Sequence, residues 1–433
     1  MWRTTELGPI GSKLLSLTPE SGTTVIQNAR LIDGRGGRPI ERTNVVIEGE
    51  RIKELLEPQA PLPAGPDVRV IDATGKTVMP GLIDVHVHLT GVATMDPYRR
   101  YLWPSEGVRT IRAALDVYRA YEAGWTTMID LGWPGPGNDL KFAINTGLIS
   151  GPRILTAIAA LSQTGGHSDW HMFPYEWVKE KGWRGRIVDG VDECRKAVRL
   201  NFREGADLTK IMATSGGFGS EHDWPPVAAL TQDELDAIVD ETNSHGAITA
   251  AHCRSVEGVR KAIAAGVHSI EHGSIDKENY DILTTMAEKG IALVPTLSIQ
   301  YWFQKEGLQR GMPKWGVEMS KWEIELRKEM VRKANEEGVI VATGTDTGSS
   351  FGIGQNALEL ELLCDAGLSP MEAIVAATRD AARSRGIEKQ VGTIVAGKLA
   401  DVLVLNTDPL ADIRSLRGTD NVASIIRAHE PIS

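Results

Sequence analysis

The sequence predicts an α/β fold, a (β/α)8 TIM barrel set between two β-rich chain ends. Three observations carry the prediction. The middle of the chain alternates short apolar segments with amphipathic ones, the pattern of a parallel sheet with crossover helices. Eight of the apolar segments read as strands, the number that closes a barrel. Both chain ends show shorter alternating runs broken by Gly, Asp and Asn, which is hairpin punctuation.

The elements follow in order. Residues 1–20 lack a long apolar core followed by a small-residue cleavage site, so they read as a leader without signal-peptide character, and the cytoplasm is the expected compartment. Residues 24–56 form short alternating runs interrupted by DGRGG and EGE. The eight strand candidates are GLIDVHVH (81–88), TTMIDLG (126–132), RILTAI (153–158), LTKIMA (208–213), AITAAH (247–252), SIEHG (269–273), IALVPT (291–296) and VIVATGTD (339–346). Thr231 with Glu234 forms a capping box opening one intervening helix. Ser369, Pro370 and Glu372 open another, SPMEAIVAATRDAARSRG, with Gly386 as its stop. GTIVAGKLADVLVLN (392–406) and NVASIIRAH (421–429) return to short strands.

Composition bounds the function classes. The chain has 433 residues, of which 42% are hydrophobic and 24% charged, an ordinary globular balance. No apolar run approaches the roughly 20 residues of a membrane span. A net charge of -10 spread without a basic block disfavours nucleic acid or an anionic membrane as partner. Cys194, Cys253 and Cys364 are widely spaced and form no C-x-x-C, which argues against a disulfide framework or a thiolate zinc site and leaves them as packing residues.

Polar residues interrupt the strands at informative places. His86 and His88 close the first strand at i and i+2, so both imidazoles leave the backbone on one side. Lys210 lies in the fourth, His252 ends the fifth, His272 ends the sixth and Asp346 ends the eighth. In a (β/α)8 barrel the C-terminal strand ends line one mouth, so these six would converge. Four imidazoles, a carboxylate and a lysine suit a divalent metal with nitrogen and oxygen donors, zinc being the expected ion. A lone histidine is more often structural, and that reading holds for His245, His268 and His429.

The stretches VMPGLIDVHVHL, GWTTMIDLG, GPRILTAIAALSQTGGHSD, LTKIMATSGG, AAHCRSVEGVRKAIAAGVHSIEHG, VATGTDTG and VGTIVAGKLADVLVLNTDPLADI resemble the metal-dependent amidohydrolase superfamily, in particular its imidazolonepropionase-like branch with Xaa-Pro dipeptidases. The resemblance runs from about residue 24 to the end. It implies a small β-sandwich built from both termini, residues 21–80 with 391–433, and a barrel over 81–390. It also implies two divalent metal ions, with His86, His88 and Asp346 on one, His252 and His272 on the other, and Lys210, carboxylated, bridging both. The implied chemistry is metal-assisted hydrolysis of an amide-type C–N bond in a small molecule, with Asp346 as general acid and base. His167, in TGGHSD, is implied as a substrate-side histidine that donates to the carbonyl or to a substrate carboxylate.

One departure bears on the substrate. Dipeptidase-like relatives often read H-A-Y after the fifth strand, whereas this chain reads HCRS, so Arg254 replaces an aromatic hydroxyl with charged donors. Arg254 is expected to bind a substrate carboxylate, or, for a neutral substrate, to pair with a neighbour such as Glu257. Aromatic-rich stretches at 167–177 and 301–322 follow the third and seventh strands and are candidates for an apolar pocket. Hydrolysis of phenylureas or thiocarbamates on the same site is the competing activity, and a non-catalytic assembly protein is the competing class. A homo-oligomer is expected.

Overall fold

The protein is described here by a computed structural model covering residues 22–430 apart from 91, 97, 98, 100, 101, 103, 134, 183, 184, 217–222, 224 and 225. The leader read over residues 1–20 lies outside the described residues, as do residues 431–433.

The strands are, in chain order, β1 (Thr23–Leu31), β2 (Ile40–Glu48), β3 (Arg51–Leu56), β4 (Val68–Asp72) and β5 (Thr77–Pro80) in the N-terminal region. The middle contributes β6 (Leu82–Val87), β7 (Trp125–Asp130), β8 (Arg153–Thr156), β9 (Leu161–Ser162), β10 (Arg186–Ile187), β11 (Leu208–Met212), β12 (Ile248–Cys253), β13 (Ser269–His272) and β14 (Ala292–Val294). Two more, β15 (Val402–Leu405) and β16 (Val422–Ile426), complete the set.

Both chain ends enter one mixed sheet in the order β16-β15-β5-β1-β2-β3, with β4 also on β1. β1 changes partner along its length: Thr23–Gln27 run parallel to β4, and Arg30 and Leu31 parallel to β5. β15 pairs antiparallel with β5, setting Val402 opposite Pro80. Ile26, Leu31, Val45, Ile47, Val78, Val402, Val404 and Ile426 make its core, each burial contributing about 1.5–3 kcal/mol.

The middle strands are parallel, in sheets ordered β6-β7-β8 and β10-β9-β11-β12-β13-β14. Their residues are almost all buried, as the apolar runs require of strands covered on both faces. Between the sheets, Asp207 N donates to Thr156 O at 2.8 Å. On the other side, residues 340–347 lie between β14 and β6. Leu293 N donates to Ile340 O (2.8 Å), Val85 N to Thr343 O (3.0 Å) and His88 N to Thr347 O (2.9 Å).

Two expectations need correction. VIVATGTD, expected as a regular strand, pairs only through isolated bridges at Val341 and Thr347. The Asp84 carboxylate takes the Thr345 N–H (3.2 Å) and hydroxyl (2.7 Å), which a ladder would otherwise use. Gly344 passes so close to β6 that a side chain there would meet His86 Cβ at 2.7 Å. Second, SPMEAIVAATRDAARSRG forms two helices, Pro370–Ala376 and Arg379–Ser384, not one. The carbonyls of Ala376 and Ala377 accept from Thr343 N (2.9 Å) and Ile83 N (2.8 Å), so the strands take acceptors an unbroken helix would have used.

Both capping boxes form, at Thr231 with Glu234 and Ser369 with Glu372. The three cysteines are unbridged. Among the described residues no helix is long and apolar enough to cross a membrane.

Candidate active site

The ends of β6, β11, β12, β13 and the segment after β14 bring the polar residues together. His86, on β6, and His88, just past its end, both approach Asp346: His88 Nε2 lies 3.2 Å and His86 Nε2 3.7 Å from its Oδ1. His86, His272 and Asp346 each offer a ligand atom, all within 4.8 Å of one another. The His252 ring lies 4.6 Å from that of His272 and stacks at 4.3 Å on His167. His272 (φ 71°), Thr296 (φ 49°) and Asp346 (φ 56°) all take the left-handed conformation at strand ends. For a β-branched residue such as Thr296 this is a strained state, costing on the order of 1–3 kcal/mol, and such strain concentrates at functional sites.

Lys210 reaches the same place from β11. Its side chain is 1% exposed and its Nζ has no hydrogen-bond partner. Burial pushes its pKa down to about 8, because an ammonium removed from water without a partner is costly. Burial, with the nearby Lys210 charge, also pushes His86 down to about 4, and burial holds His272 well below the usual imidazole range. His86 and His272 are therefore neutral, the form that ligates. Burial would raise Asp346, but the His88 hydrogen bond, the close approach of His86 and the neighbouring Lys210 outweigh it and keep the carboxylate ionised. Neutral imidazoles, an ionised carboxylate and an orphaned Nζ fit a divalent cation centre.

Supporting residues escaped the sequence reading. Glu271 Oε2 lies 2.7 Å from His86 Nδ1, while its Oε1 accepts from Arg385 Nη2 (2.9 Å) and Ser269 Oγ (2.6 Å). Asp84 receives the His86 N–H (3.1 Å) and the Asn356 amide (2.7 Å), and Asp130 receives Leu89 N (3.1 Å). The available signal was a carboxylate inside an apolar strand, as in SIEHG and LIDVHVH, since an acid is buried only for a partner.

Elsewhere on the cavity wall, His167 Nδ1 sits 2.6 Å from Asp223 Oδ2, whose other oxygen accepts from Gly216 N (3.0 Å). Arg254 is buried and donates through both Nε (3.0 Å) and Nη2 to Glu323, not to Glu257, which pairs with Lys261. Glu323 also accepts from Arg327 Nη2 (2.6 Å) and Ser274 Oγ (2.7 Å). Arg327 Nη1 then donates to Thr296 Oγ1 (2.8 Å), which contacts His272 Nδ1 (2.7 Å). A connected polar chain thus runs from Arg254 to His272.

All eight residues singled out from the sequence, His86, His88, His167, Lys210, His252, Arg254, His272 and Asp346, line one cavity of about 150 Å³ that opens to solvent. Trp133, Trp170, Met172 and Phe303 give it apolar wall. The stretch 301–322 belongs to two helices, Leu297–Glu306 and Lys314–Glu336, with a short connection. His245 stacks on Phe202 and His268 contacts Thr249, both outside the cavity lining.

Residues 77–428 match the model of the amidohydrolase family. The chain is 34% identical to ochratoxinase of Aspergillus niger over 424 residues, covering 93% of this chain and 85% of that one. A crystal structure of a Xaa-Pro dipeptidase with bound methionine in the active site superposes with a TM-score of 0.83 at 32% identity, over 94% of this chain and 99% of that one. A structure of molinate hydrolase superposes at 0.78 with 25% identity, over 94% of each chain.

Proposed function

We propose that this chain, which belongs to the amidohydrolase family and is a hydrolase acting on C–N bonds, cleaves amide bonds of small N-acyl amino acids or peptides at a two-metal centre. The observation that carries the proposal is the convergence of the neutral His86 and His272, the ionised Asp346 and the buried, unpartnered Lys210 Nζ on one cavity. We further infer that the two parallel sheets close through residues 340–347 into a (β/α)8 barrel over 81–390, and that residues 21–80 with 391–433 form a terminal β-sandwich domain.

His86, His88 and Asp346 would hold one ion, His252 and His272 the other. Lys210 would bridge both once its neutral amine has added CO2, forming an N–C bond and releasing one proton, which turns a costly buried cation into an anionic oxygen donor. Divalent ions bound there supply Lewis acidity and a water acidic enough to ionise near neutral pH. Asp346, held ionised, takes the proton of the attacking water and returns it to the leaving nitrogen. The ionised Glu271 can only accept, so it keeps the proton of His86 on Nδ1 and leaves Nε2 free to ligate. His167, oriented by Asp223, donates to the scissile carbonyl or to a substrate carboxylate. The apolar wall of Trp133, Trp170 and Phe303 excludes water and receives the acyl group.

A neutral urea or carbamate substrate is the second reading, favoured by one observation: Arg254 is already engaged by Glu323. Metal analysis by mass spectrometry together with turnover of N-acyl amino acids, dipeptides and aryl ureas tests both. Amide turnover with stoichiometric metal supports the first, and urea turnover alone supports the second. A metal-free, inert protein would sink both.

A further inference from the structure

The cavity carries a polar wall group that the metal chemistry does not use. The helix Leu297–Glu306 starts just beyond β14 and is pinned there by Glu359, whose carboxylate accepts from Leu297 N (2.8 Å) and Ser298 N (2.6 Å). Its residues Ile299, Gln300 and Phe303 line the cavity. Gln300 is 2% exposed, and its amide oxygen Oε1 has no hydrogen-bond partner. A carbonyl so buried has given up its hydration without replacement, and native interiors rarely leave one in that state unless something outside the fold completes it.

We propose that Gln300 is a specificity-determining residue whose Oε1 accepts a hydrogen bond from a substrate N–H, so that secondary amides are preferred over N-alkylated ones. The inference rests on the amide-hydrolase reading above and narrows its substrate class. The arginines of the wall, and its carboxylates Asp169 and Asp223, are poorly suited to that contact. Arg254 and Arg327 can only donate. The carboxylate of Asp169 already receives Gly165 N (2.8 Å), and that of Asp223 receives Gly216 N and meets His167. Ile299 and Phe303 flank Gln300 on the cavity wall. A site built to accept a hydrogen bond rejects an analogue that lacks the donor more strongly than an apolar site rejects an extra methyl.

The test compares one N-acyl amino acid with its amide N-methyl counterpart on the metal-loaded enzyme, in wild type, Gln300→Met and Gln300→Glu. Wild type should favour the N–H substrate by about 10-fold or more in kcat/KM. Gln300→Met should erase the preference by lowering the N–H substrate alone. Gln300→Glu should retain it, because a carboxyl keeps an acceptor oxygen in either protonation state. An equal loss on both substrates, or a preference that survives in Gln300→Met, overturns the proposal. In ligand-free protein Gln300→Met should keep or slightly raise Tm, since a thioether tolerates burial better than an unpaired carbonyl. A fall of several degrees would mean that Gln300 has a structural partner, which also overturns it. If wild type hydrolyses neither compound, the amide-hydrolase reading fails by itself. Thermal protection by the same pair then judges Gln300: protection favouring the N–H compound in wild type but not in Gln300→Met supports the contact, and equal protection overturns it.

Discussion

His86 Nδ1 stands 2.7 Å from Glu271 Oε2, and Arg385 holds the other oxygen of that carboxylate at 2.9 Å. Burial would raise Glu271, but Arg385 and the His86 contact more than reverse it and keep the group ionised. The tautomer of His86 is therefore set from behind the cavity. Replacing Glu271 with Gln, which can also present an N–H to the ring, is expected to weaken metal binding about 10–100-fold. Competition with a chelator measures this, and unchanged affinity would remove Glu271 from the site's support.

Lys210→Ala removes the proposed bridge and leaves the histidines and Asp346 in place. Metal content should fall below two ions per chain and turnover by at least about 100-fold, with partial rescue by bicarbonate and a short carboxylic acid. Wild-type metal content and turnover in this variant would refute the bridging role.

Asp346→Asn should lower kcat by about 10²–10⁴-fold with KM little changed, because an amide can neither take the water's proton nor return it. Steady-state kinetics decide it; a defect confined to KM, or to thermal stability, would mean that Asp346 only shapes the loop after residue 346.

Arg254→Met should raise KM about 10–100-fold for a substrate with a free carboxylate, the range of a charge-assisted hydrogen bond, and spare the matched carboxamide. Equal effects on the acid and amide forms would show that Arg254 serves Glu323 and not the substrate.

Glu323 sits between two buried guanidiniums. Burial alone would raise its pKa, but Arg254 and Arg327 lower it from 4.5 to about 2. A carboxylate with a depressed folded pKa stabilises the fold above its unfolded value, and that contribution is lost as pH falls from about 4.5 through about 2. Urea midpoints of the wild type should therefore decline below pH 5. Glu323→Gln should be less stable at pH 7, by about 3–5 kcal/mol if it behaves like other broken buried pairs, and show a shallower decline. Parallel pH profiles for the two proteins would contradict the pairing.

The histidine pair on β6 and the residues at the ends of later strands were legible because they follow from local periodicity. A strand puts i and i+2 on one face, and βα alternation puts every strand's C-terminal end on the same side. The same logic located Lys210 and Asp346. It failed for the eighth strand, where the Asp84 side chain, 261 residues from Thr345, takes hydrogen bonds a ladder would have used. It failed again where β6 and the residue 343 segment draw carbonyls from an expected continuous helix.

The sequence by itself determined which residue types stand at the strand ends and the alternation that brings them together, since hydrophobic period and residue type are properties of neighbours along the chain. Only the tertiary structure decided what each of these groups is bonded to. Glu323 meets Arg254 across 69 residues, Glu271 meets His86 across 185, and Gln300 Oε1 is left unpaired at the cavity. A buried charge or carbonyl is stable or costly according to the atoms within about 3 Å of it, and those atoms arrive from elements with no pattern in common.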